Sequence, residues 1–193
     1  MFDVLGTILV APFAIVAGAV MAAVLAVELR GSPCFVQERV GKDGKPFRMY
    51  KLRTMRHPKQ GEVRPYIVDD WKTYVFSPSG VRDPRLTRCG EFARKTSLDE
   101  IPNLINVLKG EMSLVGPRPE IPELVAQYPP EYHRRHVVRP GITGLAQITG
   151  RSDLTYDEVA SYDLAYVDSH SLKGDLHILW KTVAVVLTGS GAR

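Results

Sequence analysis

No charged residue occurs between Val4 and Val27, and no other feature of the chain narrows its fold so far. A secretory signal would carry basic residues ahead of such a run, and Met1, Phe2 and Asp3 supply none. At about 1.5 Å per residue, a continuous helix over the run would reach roughly 36 Å, enough to cross a hydrocarbon core of about 30 Å. Pro12 complicates this, because proline removes a backbone donor and clashes with the turn before it. Divided there, the arms would reach about 16 and 25 Å, and neither alone would cross. The residues leave two topologies open: a spanning helix, or a helix-break-helix that enters and leaves by one leaflet. A buried helix of a soluble domain fits less well, since a run apolar all round needs enclosure on every side. In either membrane topology, Arg30, Arg39, Lys42 and Lys45 put the following domain on the cytoplasmic side.

Residues 1–30 thus form a membrane element, and 31–193 are long enough for one compact domain. The mean hydropathy of -0.08 excludes a polytopic membrane protein. The Lys and Arg residues lie beyond Glu28, and the net charge of +4 suits anionic partners: phosphates, lipid headgroups or nucleic acid. Cys34 and Cys89 are too few for a disulfide framework or a zinc site.

The remainder reads as α+β with helix predominating. CFVQERVGKDGKPFRMYKLRTM is a β-hairpin turning at Asp43-Gly44. Residues 57–80 are polar and rich in Pro and Gly, which predicts a surface loop with at most one helical turn. RLTRCGEFARKTSLDEIPNLINVLKGEMS predicts two helices with a polar break. In the second, Leu98, Ile101, Leu104, Ile105 and Leu108 share one face. After a stiff GPRPEIPE segment and a basic stretch ending in Pro-Gly, two amphipathic helices close the chain.

Asp99-Glu100 is the central pair. Ser97 and Glu100 fit a capping box, acids suit a first helical turn, and Pro102 is tolerated only there, so this stretch alone reads as a helix start. The surroundings add a chemical reading. Both acids fall outside the apolar stripe, a carboxylate can attack phosphorus, and its neighbour can hold a hard divalent ion against a diphosphate. Arg118, between Pro117 and Pro119, presents a guanidinium with little entropy to lose, suited to phosphate oxygens. The chain has no Walker loop, no dinucleotide-binding glycine motif, no H-E-x-x-H and no nucleophile elbow. What remains is carboxylate and arginine chemistry on phosphate.

FVQERVGKDGKPFRMYKLRTM, RLTRCGEFARKTSLDEIPNLINVLKGEMSLVGPRPE and RPGITGLAQITGR resemble the bacterial sugar transferases that initiate glycoconjugate assembly. Among these the chain is most similar to the small monotopic phosphoglycosyl transferases. The resemblance covers nearly the whole chain, from the Phe-Asp that opens the membrane segment to SLKGDLHILWKTV. It implies a re-entrant membrane helix broken at Pro12 (Ala11-Pro12 standing where relatives usually have Ser-Pro), a small β-hairpin, and amphipathic interfacial helices around a compact catalytic core. It further implies that Asp99 attacks the sugar-bearing phosphate of a UDP-sugar, releasing UMP, and that polyprenol phosphate then takes the phosphosugar. Glu100, with Asp99, would hold Mg²⁺, and Arg118 would stabilise the phosphates. Lys51, Arg88, Glu120, Arg139 and Gln147 are implied as substrate or metal contacts. The expected setting is the bacterial plasma membrane, monotopic, with the catalytic domain on the cytoplasmic face. Membrane lipid would be a partner, nucleic acid would not, and a homodimer is compatible with the chain.

Rival classes make different expectations. For a membrane-anchored interaction protein, Asp99→Asn would cost only a helix cap, about 1 kcal/mol. A nucleic-acid binder would show salt-sensitive DNA binding, yet no recognition motif is present. A two-carboxylate glycosidase fails on spacing, since adjacent residues cannot flank a sugar.

Overall fold

The computed structural model describes residues 2–62, 66–75, 82–150 and 154–188. Helix α1 (Phe2–Leu29) takes up the apolar run and continues through Pro12 uninterrupted, where the sequence pointed to a break. Asp3, Thr7, Gly18, Met21 and Leu25 recur at helical spacing and are buried. This stripe continues on both sides of the proline, so packing supports the helix where one backbone bond is missing. The opposite face is bare: Leu9 is 76% and Phe13 82% exposed.

Both ends of α1 are fastened to the rest of the chain. At the start, Asp3 Oδ1 accepts from Ser113 Oγ (2.7 Å) and the Leu114 amide (3.1 Å), and Oδ2 accepts from Arg139 Nη2 (2.9 Å). At the far end, Glu28 accepts from the backbone amides of Arg88 and Cys89 at 3.1–3.3 Å. Between these points Gly18 lies so near Ile101 that an added Cβ would come to 3.0 Å of its Cγ2.

Strands β1 (Cys34–Val40) and β2 (Pro46–Leu52) form the expected antiparallel hairpin, registered from Cys34 against Leu52 to Val40 against Pro46. Its tight turn places Asp43 at φ 56° and Gly44 at φ 74°, left-handed conformations that this dipeptide tolerates. Phe47 and Met49 of β2 pack with Val107 and Met112, while Leu52 joins Met21, Leu25 and Ala93. The described part of residues 57–80 is loop with a turn at residues 71–73.

Helix α2 (Arg88–Lys95) is capped by Thr87, whose side chain accepts from the Gly90 amide. A 3₁₀ turn, Leu98–Glu100, leads to α3 (Asn103–Leu108). Here one expectation fails. Ser97 sits at φ 57° without a side-chain cap bond, so there is no capping box. The apolar stripe lies partly outside the core: Asp99, Asn103, Asn106 and Val107 are buried, while Ile105 and Leu108 are 53% and 52% exposed. The apolar side turns outward because α3 packs beside α1 and continues its apolar surface. Asn106, fully buried, holds the hairpin by donating to the Arg48 carbonyl (2.7 Å) and accepting from the Tyr50 amide (3.2 Å).

Strand β3 (Ser113–Val115) pairs in parallel with β4 (Gly141–Thr143), a contact the sequence did not announce. Between them lie Gly116–Ile121, α4 (Pro122–Val125) and a 3₁₀ segment, Pro130–Val137. Helix α5 (Leu145–Thr149) follows β4. Helix α6 (Tyr156–Ser169) opens with a true capping box, Thr155 with Glu158. Helix α7 (Leu172–Thr188) buries Ile178 against Val115 and Tyr166 and exposes Leu172, Leu176, Trp180 and Val183. Among the described residues the fold is helix-rich α+β with one apolar N-terminal helix and two small two-stranded sheets.

Candidate active site

The 3₁₀ turn brings Asp99 and Glu100 under the P-R-P segment and over the end of β2. Glu100 Oε1 accepts from Lys51 Nζ (2.9 Å) and from Arg118 Nη2 (2.9 Å). The Glu100 and Lys51 side chains are 13% and 12% exposed, whereas Arg118 keeps 42% of its side-chain surface open. One arm of Arg118 thus anchors on a buried carboxylate, while the rest of the guanidinium is free to meet phosphate oxygens.

The two acids are driven apart. Burial would raise Glu100, but the charges of Arg118 and Lys51 outweigh it and hold its carboxyl well below the ordinary range. Asp99, 7% exposed, is pushed up to about 6 by burial and by the charge of Glu100, against the pull of Lys51, Arg94 and Arg118. Burial lowers the Lys51 ammonium, and the nearby charge of Arg118 adds to that; Glu100 pulls the other way. Arg118 is raised above its ordinary value, chiefly by Glu100. An always-ionised acid beside one that titrates near neutrality, ringed by cations, is an arrangement for attack on an anionic centre.

The P-R-P segment is braced by more than its prolines. Arg39 donates from Nη1 to the Pro119 carbonyl (3.1 Å) and to Glu120 Oε2 (3.3 Å), and the Val40 amide donates to the Glu120 carbonyl (2.9 Å). Arg135, 3% exposed, donates to the Arg118 carbonyl (2.8 Å).

Of the residues singled out from sequence, Asp99, Glu100, Lys51 and Arg118 meet in one cluster. Glu120 stands behind Arg118 and is engaged by Arg39. Arg139 is bonded to Asp3, and Arg88 is exposed at the opposite end of α2, beside Glu28. Both polar atoms of the Gln147 side chain are buried and have no hydrogen-bond partner among the described residues. The sequence reading passed over Arg94, which sits in the last turn of α2, donates to Thr54 Oγ1 (3.0 Å) and acts electrostatically on Asp99. Its only local signal was a basic residue closing a helix just ahead of the acidic pair. Arg39 and Arg135 are tied to the site by contacts 80 and 17 residues away in sequence.

A dedicated metal cage is absent: no group of three or more His, Cys, Asp and Glu side chains is placed to hold an ion among the described residues. Mg²⁺ does not need one. It retains water and takes one or two carboxylates plus substrate phosphates, and Asp99 with Glu100 is a donor set of that kind. Both cationic bonds to Glu100 fall on Oε1, so Oε2 is the oxygen through which Glu100 would contribute.

The family profile described as bacterial sugar transferase matches residues 1–189. The chain is 42% identical over 165 residues to the galactosyl transferase CpsE of Streptococcus agalactiae, covering 84% of this chain and 36% of that protein. It is 41% identical over 169 residues to the undecaprenyl-phosphate galactose phosphotransferase of Salmonella typhimurium, covering 84% and 35%. With the UDP-N-acetylgalactosamine-undecaprenyl-phosphate N-acetylgalactosaminephosphotransferase of Aeromonas hydrophila it shares 36% over 197 residues, covering 99% and 44%. The chain therefore spans from about a third to under half the length of these relatives.

Proposed function

Because this chain belongs to the bacterial sugar transferase family, we propose that it transfers a sugar 1-phosphate from a UDP-sugar to polyprenol phosphate, undecaprenyl phosphate being the acceptor named for relatives. The observation that carries the proposal is Asp99, a buried carboxylate beside Glu100, whose own charge is held by Lys51 and Arg118. Asp99 attacks the sugar-bearing phosphorus of the donor. The bond from that phosphorus to the bridging oxygen breaks, UMP leaves, and an aspartyl-phosphosugar remains. An oxygen of polyprenol phosphate then attacks the same phosphorus, and the bond to Asp99 breaks. The product is a polyprenol diphosphate sugar, with the Asp99 carboxylate restored.

Phosphoryl transfer asks mainly for positioning and charge neutralisation. Arg118, anchored and half open, supplies both at the phosphates, and Lys51 fixes Glu100 from below. Glu100, with Asp99 beside it, would hold Mg²⁺ against the diphosphate, where the ion's contribution is further charge neutralisation.

The membrane setting follows from α1. A helix with a bare apolar face calls for lipid, yet both its ends are tied to one domain, which a helix crossing to the far side could not achieve. We read α1 as lying along one leaflet without crossing, its bare face toward lipid, with the outward apolar residues of α3 and α7 at the same interface. The domain then faces the cytoplasm, where a soluble nucleotide sugar and a headgroup-level phosphate can meet.

The test is UMP release by detergent-solubilised protein with Mg²⁺, polyprenol phosphate and a panel of UDP-sugars. Acceptor-dependent UMP from one or two donors, absent in Asp99→Asn, is expected; full activity in that variant would remove Asp99 as the nucleophile. Arg118→Lys should lose about 100-fold in kcat, since an ammonium cannot anchor on Glu100 and span phosphate oxygens together.

A further inference from the structure

We infer that the buried Arg135–Asp163 pair is a positioning unit for Arg118, acting through the peptide carbonyl of Arg118 itself. The inference rests on the proposed transfer reaction for its kinetic consequence, though not for its geometry. Arg135 lies in the 3₁₀ segment and Asp163 in α6, and their side chains are 2% and 1% exposed, with Nη2 and Oδ2 2.5 Å apart. The same Nη2 donates to the Arg118 carbonyl (2.8 Å), while Nη1 donates to the hydroxyls of Tyr128 (2.7 Å) and Tyr156 (2.8 Å).

A buried ion pair is weak evidence for stability, because hydrophobic replacement serves as well or better. What this pair has that an apolar plug lacks is direction. Two tyrosine hydroxyls hold the guanidinium plane, Asp163 balances its charge by an ion-pair contact without a hydrogen bond, and one edge of that plane ends on the backbone of the residue that reaches Glu100. Arg39 holds the next carbonyl, that of Pro119, from the opposite side. Pro117 and Pro119 restrict φ but cannot fix where the Arg118 peptide lies relative to Glu100. Two arginine-to-carbonyl bonds can. The chain of bonds from Tyr156 through Arg135 and Arg118 to Glu100 and Lys51, with Asp163 as the counter-charge, thus links α6 to β2 across the site.

The distinguishing experiment is a double-mutant cycle on UMP release, using Arg135→Lys, Arg118→Lys and the double variant, with thermal melting of each. Arg135→Lys keeps the charge but cannot make the same set of bonds. It should lower kcat about 10–100-fold, the scale of a slight misplacement, with the donor KM little changed. In the Arg118→Lys background the same substitution should cost less than about twofold, because positions that act as a unit are not additive. Equal losses in both backgrounds, or a loss that only tracks a lower melting temperature, would make Arg135 a structural residue and overturn the inference. If Arg135→Lys does not fold, Tyr128→Phe removes one of the hydroxyls that orient the guanidinium and carries the same expectations in smaller degree. Amide exchange at Arg118 and Glu120 gives a readout that needs no turnover. Faster exchange there than in the rest of the domain supports positioning, and unchanged exchange overturns it. Were the wild-type protein to release no UMP, the transfer proposal would fail and exchange alone would decide this one.

Discussion

Asp99 holds the strongest tension of any residue at the site, and two measurable consequences follow from its sign. Attack requires the carboxylate, so activity should rise with pH as Asp99, which burial and Glu100 hold above the usual carboxylate range, gives up its proton. A pH profile of kcat/KM that is flat from 5 to 8 would argue against a raised Asp99 in the working enzyme. Stability runs the other way. The folded state holds this proton to higher pH than the unfolded chain does, so it loses stability as pH rises from about 4 through 6. Asp99→Asn should therefore melt higher than the wild type at pH 7.5, while releasing no UMP. A variant that is inactive because it is unfolded would melt lower.

Arg139 is judged at the same scale. It was implied as a substrate contact and is found bonded to Asp3. If the tether is its role, Arg139→Ala and Asp3→Asn should each cost about 1–2 kcal/mol, the pair being partly exposed, and leave the donor KM unchanged. A raised KM in Arg139→Ala alone would return Arg139 to the substrate.

Among the elements, the parallel pair β3–β4 is where the site depends most on close backbone contact. A Cβ on Gly141 would fall 2.1 Å from the Gly116 nitrogen and 2.5 Å from the Thr143 carbonyl oxygen. Neither is a flexible side chain, so Gly141→Ala should separate the strands at the root of the P-R-P segment. We expect little soluble protein from that variant, or a fold whose melting temperature drops by many degrees, whereas Gly44→Ala on the hairpin turn should cost only about 1 kcal/mol of backbone strain. Helix α3 shows that periodicity marks a helix face without saying what covers it. Ile105 and Leu108 do share a face with Leu98 and Ile101, but the domain buries Asn103 and Asn106 instead. A stripe of apolar residues says that some apolar phase lies on that side; it does not say whether the phase is a protein core or lipid.

For the molecule as a whole, the outward apolar faces of α1, α3 and α7 predict shallow burial in one leaflet. Two tryptophans report on it. Trp180 is 76% exposed on α7, while Trp71 packs edge-on against Tyr128, Tyr132 and Tyr74. In vesicles, brominated lipid should quench Trp180 from near the headgroups and leave Trp71 bright, as seen by comparing Trp71→Phe with Trp180→Phe. Equal quenching of both would mean that the domain meets lipid through a different surface.

What the sequence determined by itself is what local chemistry controls: the hairpin around Asp43-Gly44, the helical periodicities, the apolar N-terminal helix, and the acidic pair and P-R-P motif as charged residues to look for together. These depend on neighbours within a few residues. Tertiary structure alone decided the remainder. It brought Lys51 and Arg118 onto one oxygen of Glu100, set Ser97 in a left-handed turn instead of a cap, and carried α1 through Pro12 without a break. It gave Arg139 to Asp3, 136 residues away, and placed Arg39, Arg94 and Arg135 around the site with no motif to mark them. The reason is that a basic side chain looks the same in sequence whether it is solvated, tethered or catalytic. Its role is fixed by which carbonyl or carboxylate the folded chain delivers to it, and long-range packing makes that delivery.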